Sequence, residues 1–209
     1  MRIGVVGSGK IGATAARLFV GAGHQTAIAN SRGPESLADL VSELGDLARA
    51  ATVEDAARFG ELVLVAIPLG AIGELPPEPI AGKIVVDANN YYPSRDGQIP
   101  ELDNDETSSS ELLARQLSGA TVIKAFNTMF AGTLGEKALP GRPREDRLTL
   151  FVAGDDAQAK RRVIELIEEI GFAAMDTGSL AQGGRRQQPG SAVYTKEVTP
   201  VEAETLLAG

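Results

Sequence analysis

The sequence predicts an α/β protein with a doubly wound, mainly parallel sheet of about eight strands and a small C-terminal extension. Three observations predict this class. A glycine-rich turn lies between an apolar run and an alanine-rich segment near the amino terminus. Further short apolar runs alternate with segments of helical periodicity. Several of these runs are continuously apolar, which is typical of parallel strands covered by helices on both faces.

The first strand–turn–helix unit contains the sequence G-S-G-K-I-G at residues 7–12. In such a turn Gly7 permits the tight bend, Gly9 lets a pyrophosphate approach the backbone, and Gly12 lets the helix pack closely on the strand. The positive end of the helix faces the phosphates. The motif therefore predicts a Rossmann-type dinucleotide site, and a glycine turn without a ligand is the alternative.

The end of the second predicted strand, residues 25–29, indicates which dinucleotide binds. Folds that prefer NAD usually carry Asp or Glu at this point, which hydrogen-bonds the ribose 2′-hydroxyl. Here Asn30, Ser31 and Arg32 follow the strand. Arg32 is a permanent cation with a planar group suited to phosphate, and Ser31 adds a hydroxyl donor. The pattern predicts a 2′-phosphate site and hence NADP(H); a solvated loop arginine is the alternative.

Ligands of open α/β sheets bind at the carboxyl ends of the strands, and three later strands end in candidate residues. We expect two of these ends to contact the cofactor and the third to contact a second substrate, although an ordinary loop or turn is the alternative at each. The candidates are Ala66, Ile67 and Pro68 after the first strand, Asn89 with Asn90 after the second, and Asn127, Thr128 and Met129 after the third.

Composition excludes several functional classes. The 209 residues carry a formal net charge of −8 and contain no Trp, so we expect neither a nucleic-acid nor an anionic membrane partner. The lack of cysteine excludes disulfides and thiolate sites, and His24, the single histidine, cannot form a multi-histidine metal site. No apolar run reaches the ~20 residues of a membrane span, and no signal peptide is evident. We expect a cytoplasmic protein.

We expect residues 1–147 to form the NADP-binding domain and residues 148–209 an extension that completes the sheet and the acceptor pocket, within one compact unit. The serine-rich, acidic stretch 94–110 predicts an exposed, mobile loop and a candidate lid. Lys124 is expected to be a solvated charge on a strand. Asp155 is expected to cap a helix that extends to Ile170.

The region after residue 178 has a weaker signal. Residues 182–191 are rich in Gly, Gln and Arg, and no element is predicted there. Residues 198–207 predict a short last helix, with Thr199 as its cap and Pro200 at its first position.

Five segments in this order resemble the coenzyme F420-dependent NADP oxidoreductases, over about residues 1–180. They are residues 7–12, the turn at 30–32, and the sequences A-I-P-L-G-A-I at 66–72, K-A-F-N-T at 124–128 and D-T-G-S-L at 176–180. The resemblance implies a Rossmann fold, a homodimer, and hydride exchange between NADPH and a deazaflavin stacked over the nicotinamide. The cytosolic domain of the six-transmembrane ferric reductases looks similar, with a flavin as acceptor.

The resemblance also implies roles for individual residues. Ser8, Lys10 and Ile11 would contact the pyrophosphate, Ser31 and Arg32 the 2′-phosphate, and Ile72 and Ala131 the nicotinamide.

Three departures from the family pattern stand out. The family's 2′-phosphate site often adds a lysine where this chain has Ser36. F420-specific members tend to have histidine at the place of Asn127. Their last apolar helix is replaced here by the polar run through Arg185, Arg186 and Gln188.

Direct hydride transfer needs two stacked rings rather than an acid–base pair, so no catalytic residue is predicted. Asn127, Thr128 and Met129 are expected to contact the acceptor, without a catalytic role. One alternative is an NADPH-dependent reductase of a flavin, a ferric chelate, or a small carbonyl or imine, for which Tyr91, Tyr92 and Lys124 are the candidate proton donors. The other is a non-catalytic sensor that binds NADPH.

Overall fold

The computed structural model describes residues 1–208. Within that range the chain forms one eight-stranded sheet of order β3-β2-β1-β4-β5-β6-β7-β8. The strands are β1 Arg2–Val6, β2 Gln25–Ala29, β3 Ala48–Ala50, β4 Leu62–Val65, β5 Ile84–Asp87, β6 Thr121–Lys124, β7 Thr149–Ala153 and β8 Ala173–Gly178. All neighbouring strands are parallel except β6 and β7, which pair antiparallel. The predicted fold class is confirmed.

Ten α-helices connect or flank these strands within residues 1–208. They are α1 Lys10–Gly21, α2 Ala38–Leu44, α3 Val53–Phe59, α4 Pro93–Asp96, α5 Pro100–Asp103, α6 Ser109–Gln116, α7 Ala131–Glu136, α8 Ala157–Glu169, α9 Leu180–Arg185 and α10 Pro200–Ala208. None of these helices is long and apolar enough to cross a membrane.

The sheet is apolar on both faces because helices cover both. Successive strand residues point to opposite faces, so Leu62 and Leu64 of β4 join the cluster packed by α1, α7 and α8, whereas Val63 and Val65 join the cluster packed by α3, α6 and α9. All four side chains are buried. This two-sided burial explains the continuous apolar run that predicted a parallel strand.

The strand order reverses between β1 and β4, which are neighbours in the sheet although two strands separate them in sequence. Ligands of such folds bind in the crevice at this switch point, outside the carboxyl ends of the strands. The loops after β1, β2, β4, β5 and β6 all emerge at this edge. Strands β7 and β8 continue the same sheet, while the predicted domain boundary at residue 147 stays a prediction.

The stretch 94–110 is more ordered than predicted. It contains α5, most of α4 and the start of α6, and Leu102 is buried. Ser108 caps α6 by accepting a hydrogen bond from the backbone NH of Glu111, and Ser110 is buried. Ser108 and Ser110 therefore serve helix capping and buried contacts. Residues 94–106 are mostly exposed, as predicted, but they form short helices rather than one loop. The mobility of the stretch stays a prediction.

Two further expectations are corrected. Asp156, not Asp155, caps α8 by accepting from the backbone NH of Ala159 at 2.7 Å. The Asp155 carboxylate instead accepts from the NH of Leu180 at the start of α9. The polar run 182–191 contains the end of α9 and the fully buried Gln187, whose Nε2 donates to Thr177 Oγ1 at 2.9 Å.

Candidate functional site

Two adjoining cavities lie at the carboxyl edge of the sheet, around the switch point. The glycine-loop cavity, about 570 Å³, is bounded by the loop after β1, the turn after β2 and the segment after β4. The asparagine cavity, about 340 Å³, is bounded by the helix α1 start and by the segments after β4, β5 and β6. Gly9, Ala66, Ile67 and Pro68 line both. The two cavities therefore adjoin along one cleft.

The three glycines of the loop meet different surroundings. A Cβ on Gly7 would collide with the carbonyl oxygen of Ala66, and a Cβ on Gly12 would collide with the carbonyl of Gly7. Gly7 also has φ +110°, which favours glycine. A Cβ on Gly9 would meet no protein atom within 4 Å. Gly7 and Gly12 thus serve internal packing, whereas the space beside Gly9 is open to a ligand.

Helix α1 begins at this open space. Gly9 occupies the N-cap position and supplies no capping side chain. The first NH groups of a helix lack intrahelical partners and carry a partial positive charge, so an anion is favoured there. An uncapped helix start facing an open cavity fits a pyrophosphate.

Asn30 joins the loops after β1 and β2. Its Nδ2 donates to Ser8 Oγ at 2.9 Å and to Ser36 Oγ at 2.9 Å, and its Oδ1 accepts from the backbone NH of Arg32 at 2.9 Å. The Ser36 hydroxyl donates to the carbonyl of Gly33 at 2.7 Å. These bonds fix the turn that carries Ser31 and Arg32.

Ser31 and Arg32 line the glycine-loop cavity and are exposed. The Arg32 guanidinium is a permanent cation with several hydrogen-bond donors in one plane. Its place at the end of β2 fits a phosphate on the adenosine ribose, as the sequence predicts for NADP(H).

Asn89 forms part of the floor of the asparagine cavity. Its Oδ1 accepts from the backbone NH of Ile67 at 2.9 Å, its own NH donates to Asp87 Oδ1 at 2.9 Å, and its carbonyl accepts from Lys124 Nζ at 2.5 Å. The residue is 2% exposed. Its Nδ2 is buried and has no hydrogen-bond partner among residues 1–208.

A buried ion pair lies beneath this loop. Lys124 Nζ is 3.2 Å from Asp87 Oδ2, and the two side chains are 1% and 0% exposed. Ser110 Oγ donates to the same Asp87 oxygen at 2.5 Å. The expectation that Lys124 is a solvated strand charge is wrong, because its ammonium group is needed inside the protein as the partner of Asp87 and of the Asn89 carbonyl.

Asn127 lies three residues after the end of β6, in the loop at the same edge of the sheet. Its Nδ2 donates to Asn90 Oδ1 at 3.0 Å and to the carbonyl of Gln187 at 2.7 Å. Its Oδ1 is buried and without a hydrogen-bond partner in the described chain. Met129 lines the cavity beside it. Thr128 is buried outside the cavity lining, and its carbonyl accepts from the NH of Thr195.

Two tyrosines form one wall of the asparagine cavity. The hydroxyls of Tyr92 and Tyr194 are hydrogen-bonded to each other. Arg95 lies over the Tyr92 ring, 5.0 Å from its centroid, and donates to the carbonyl of Asn90 at 2.6 Å. Burial, and then the bond to Tyr92, raises the pKa of Tyr194 above its ordinary value. The Tyr194 hydroxyl therefore keeps its proton at neutral pH.

The cleft gathers most of the predicted residues. Of the predicted cofactor contacts, the two cavities are lined by Gly7, Ser8, Gly9, Lys10, Ile11, Asn30, Ser31, Arg32, Ala66, Ile67, Pro68, Asn89 and Ala131. Three others lie outside the lining: Gly12 is buried under the turn, Ser36 bonds to Asn30, and Ile72 packs on the apolar cluster of α6. Ala71 lines the glycine-loop cavity where Ile72 was predicted to lie.

Five residues that line the asparagine cavity were not predicted from the sequence: Ala88, Arg95, Phe130, Tyr194 and Thr195. Phe130 is 65% exposed, and its position directly before Ala131 was a usable signal. Tyr194 and Thr195 come from a segment without periodicity, so the sequence carries no local pattern that places them at the cleft.

The cleft combines groups suited to binding with two phenols that can donate a proton. Within residues 1–208 no three His, Cys, Asp or Glu side chains come together as a metal site. The lining supplies helix and loop NH groups, amide groups, hydroxyls and two phenols. Its charged side chains are the cations Lys10, Arg32 and Arg95 and one carboxylate, Glu74. This combination suits an extended anionic ligand with a flat, amide-bearing end.

Comparison with known proteins agrees with this geometry. Residues 2–91 match the family described as NADP oxidoreductase coenzyme F420-dependent. A hypothetical protein from Sinorhizobium meliloti is 32% identical, with a TM-score of 0.81 and 95% of both chains covered. The structure of a predicted F420-dependent NADP reductase from an Arthrobacter species is 30% identical, with a TM-score of 0.71 and 85% of both chains covered.

Curated relatives are longer proteins. Metalloreductase STEAP3 of Rattus norvegicus is 31% identical over 182 residues, which cover 86% of this chain and 34% of the relative. Metalloreductase STEAP2 of Homo sapiens is 27% identical over 185 residues, with the same coverage. The chain spans about a third of the length of the curated relatives that it matches.

Proposed function

Because the chain belongs to the coenzyme F420-dependent NADP oxidoreductase family, we propose that it transfers a hydride between NADPH and a deazaflavin of the F420 type. The single observation that carries the cofactor half is the pairing of an uncapped helix start at Gly9 with the exposed Arg32 in one cavity. The acceptor half rests on family membership and on the adjoining asparagine cavity.

The glycine loop and the turn after β2 would hold the adenosine half of the cofactor. The NH groups at the start of α1 face the pyrophosphate, with Ser8, Lys10 and Ile11 beside it. Ser31 and Arg32 supply a hydroxyl and a guanidinium to the 2′-phosphate. Asn30 keeps the two loops in register through its bond to Ser8.

The asparagine cavity would hold the nicotinamide and the acceptor ring. Bound NADPH supplies a hydride, which carries two electrons, and the acceptor takes its second hydrogen as a proton from water. The chain's own task is to align two flat rings and to exclude water between them. The side chains of Met129, Phe130 and Ala131 provide apolar surface for that purpose.

An acceptor assay tests this proposal. The protein is mixed with NADPH and, in turn, with F420, FMN, FAD and a ferric chelate, and the nicotinamide absorbance band is followed. Oxidation of NADPH with F420 alone supports the proposal. Oxidation of NADPH by FMN, FAD or the ferric chelate, and not by F420, supports a flavin- or iron-reducing activity instead. The similarity to the metalloreductases favours that alternative. Tight NADPH binding with no oxidation supports a sensor.

A second candidate function is reduction of a small carbonyl or imine. The observation that favours it is the hydrogen-bonded pair Tyr92 and Tyr194 in the same cavity as Ala131 and Met129. A phenol can donate the proton that such a substrate needs at its oxygen or nitrogen. Lys124 drops out as a donor, since it is buried in the ion pair with Asp87. NADPH oxidation with cyclic imines or ketones, abolished in the Tyr194→Phe variant, would support this candidate.

The proposal also includes a homodimer, as the family resemblance implies, and a cytoplasmic location, as the sequence composition indicates. Sedimentation analysis of the purified chain tests the dimer: a single species of twice the chain mass of 21.8 kDa supports it. A species of the chain mass across micromolar concentrations contradicts it.

A further inference from the structure

We propose that Asn89 and Asn127 recognise the carboxamide of the nicotinamide ring. Asn89 Nδ2 donates to the carboxamide oxygen, and Asn127 Oδ1 accepts from its NH₂ group. This inference rests on the proposed function, because it names contacts within the same cavity. It begins from two buried side-chain atoms, one on each asparagine, that have no partner within residues 1–208.

The unpaired donor is the amide nitrogen of Asn89. The orientation of this amide is fixed, because its Oδ1 accepts from the NH of Ile67, a group that can only donate. The nitrogen is therefore the atom left over. A buried donor without a partner costs free energy, and Asn89 lines the cavity at 2% exposure. A ligand oxygen in the cavity removes that cost.

The unpaired acceptor is the amide oxygen of Asn127. Its orientation is fixed as well, because Nδ2 lies within hydrogen-bond distance of Asn90 Oδ1 and of the Gln187 carbonyl, which both accept. The oxygen remains without a partner in the described chain, on a residue that is 4% exposed. A ligand donor in the same cavity satisfies it.

One unmet donor and one unmet acceptor match a primary carboxamide, which offers a C=O and an NH₂ side by side. An anion would satisfy only Asn89, and a cation only Asn127. The two asparagines follow the neighbouring strands β5 and β6, and neighbouring strands lie about 4.8 Å apart. Both residues line the asparagine cavity, so one amide group bound there can meet both.

The buried ion pair positions the donor. Asp87 accepts from the Asn89 backbone NH, and Lys124 donates to the Asn89 carbonyl. Both ends of the Asn89 peptide are thus held from inside the sheet, and the Ile67 NH holds its side chain. Lys124 and Asp87 are therefore positioning residues for the amide nitrogen, without contact to the ligand.

A calorimetric comparison of two ligands tests the inference. NADP⁺ and its 3-acetylpyridine analogue differ in that a methyl group replaces the carboxamide NH₂, while the carbonyl stays. The wild-type protein should bind the analogue roughly 5- to 100-fold more weakly, since Asn127 Oδ1 is left unpaired. For the Asn127→Ala variant, the dissociation constants of NADP⁺ and of the analogue should agree within about twofold, because the unpaired oxygen is gone. The Asn89→Ala variant should weaken both ligands by the same factor.

A ligand that lacks nicotinamide is the control. 2′-Phospho-ADP-ribose should bind the wild type and both variants equally, which also reports that the variants are folded. Equal binding of NADP⁺ and the analogue by the wild type would overturn the inference, and that comparison needs no variant. If 2′-phospho-ADP-ribose still binds in that case, the cofactor half of the proposed function survives. If neither NADP⁺ nor 2′-phospho-ADP-ribose binds, both the inference and the proposed function are contradicted.

Discussion

The amide of Asn30 donates a 2.9 Å hydrogen bond to the hydroxyl of Ser8. The bond connects the turn after β2 to the glycine loop after β1, which are 22 residues apart in sequence. In the proposed complex these two loops hold the 2′-phosphate and the pyrophosphate. Asn30 thereby sets the distance between the two anion sites.

The Arg32→Ala variant should lose affinity for NADPH. A charge-assisted contact is worth roughly 1.5–3 kcal/mol, so the dissociation constant should rise about 10- to 150-fold. Affinity for NADH, which has no 2′-phosphate, should change little. Calorimetry with both nucleotides measures this. Arg161→Ala is the matched control, because Arg161 is an exposed arginine on α8 outside the cleft lining. An unchanged dissociation constant for NADPH in Arg32→Ala would remove Arg32 from the site.

Two alanine substitutions should separate binding from folding. Gly9→Ala adds a methyl group where no protein atom lies within 4 Å. Its free energy of unfolding should therefore fall by less than about 1 kcal/mol. Its affinity for NADPH should drop at least about tenfold, because the methyl group occupies the space proposed for the pyrophosphate. Gly12→Ala should instead unfold readily, since its Cβ collides with the Gly7 carbonyl. Thermal melts and calorimetry of both variants provide the comparison. Undiminished NADPH binding by Gly9→Ala would argue against a ligand at this point.

Removal of the buried cation should destabilise the fold. Lys124→Met leaves the Asp87 carboxylate buried without its partner, which costs about 3–5 kcal/mol. For a chain of this size the melting temperature should drop by roughly 6–20 °C. The double variant Lys124→Met with Asp87→Asn should recover part of that loss. A single variant within about 1 kcal/mol of wild type, measured by denaturant unfolding, would mean that the pair is solvated after all.

Stability at high pH should depend on Tyr194. Its pKa is raised above the ordinary value of 10 by burial and by the bond to Tyr92. The folded state therefore keeps a proton that the unfolded state releases, so stability is full below pH 10 and falls as the pH rises above it. Denaturant unfolding from about pH 9 to 11 should show a steeper loss for wild type than for Tyr194→Phe. Parallel curves would indicate a solvated phenol.

The sequence predicts the first half of the cleft well, because there each role depends on local chemistry. The glycines at 7–12 and the basic turn at 30–32 are contiguous in sequence, and the structure brings both to one cavity. The continuous apolar runs predict strands whose carboxyl ends meet at one edge, so Asn89 and Asn127 also reach the cleft.

The second half depends on contacts distant in sequence, which local patterns do not encode. Lys124 carries a charge that predicts exposure. It is buried because its ammonium group pairs with the carboxylate of Asp87, 37 residues away in sequence. Tyr194 meets Tyr92 across 102 residues. The serines 108–110 belong to an acidic stretch that predicts exposure, but one of them caps α6 and another bonds Asp87.

Calorimetric titration of the protein with NADPH and with NADH tests the central claim most directly. The account predicts that NADPH binds at least about tenfold more tightly than NADH, since only NADPH carries the phosphate that Arg32 and Ser31 contact. Binding of neither nucleotide, or tighter binding of NADH, would contradict it.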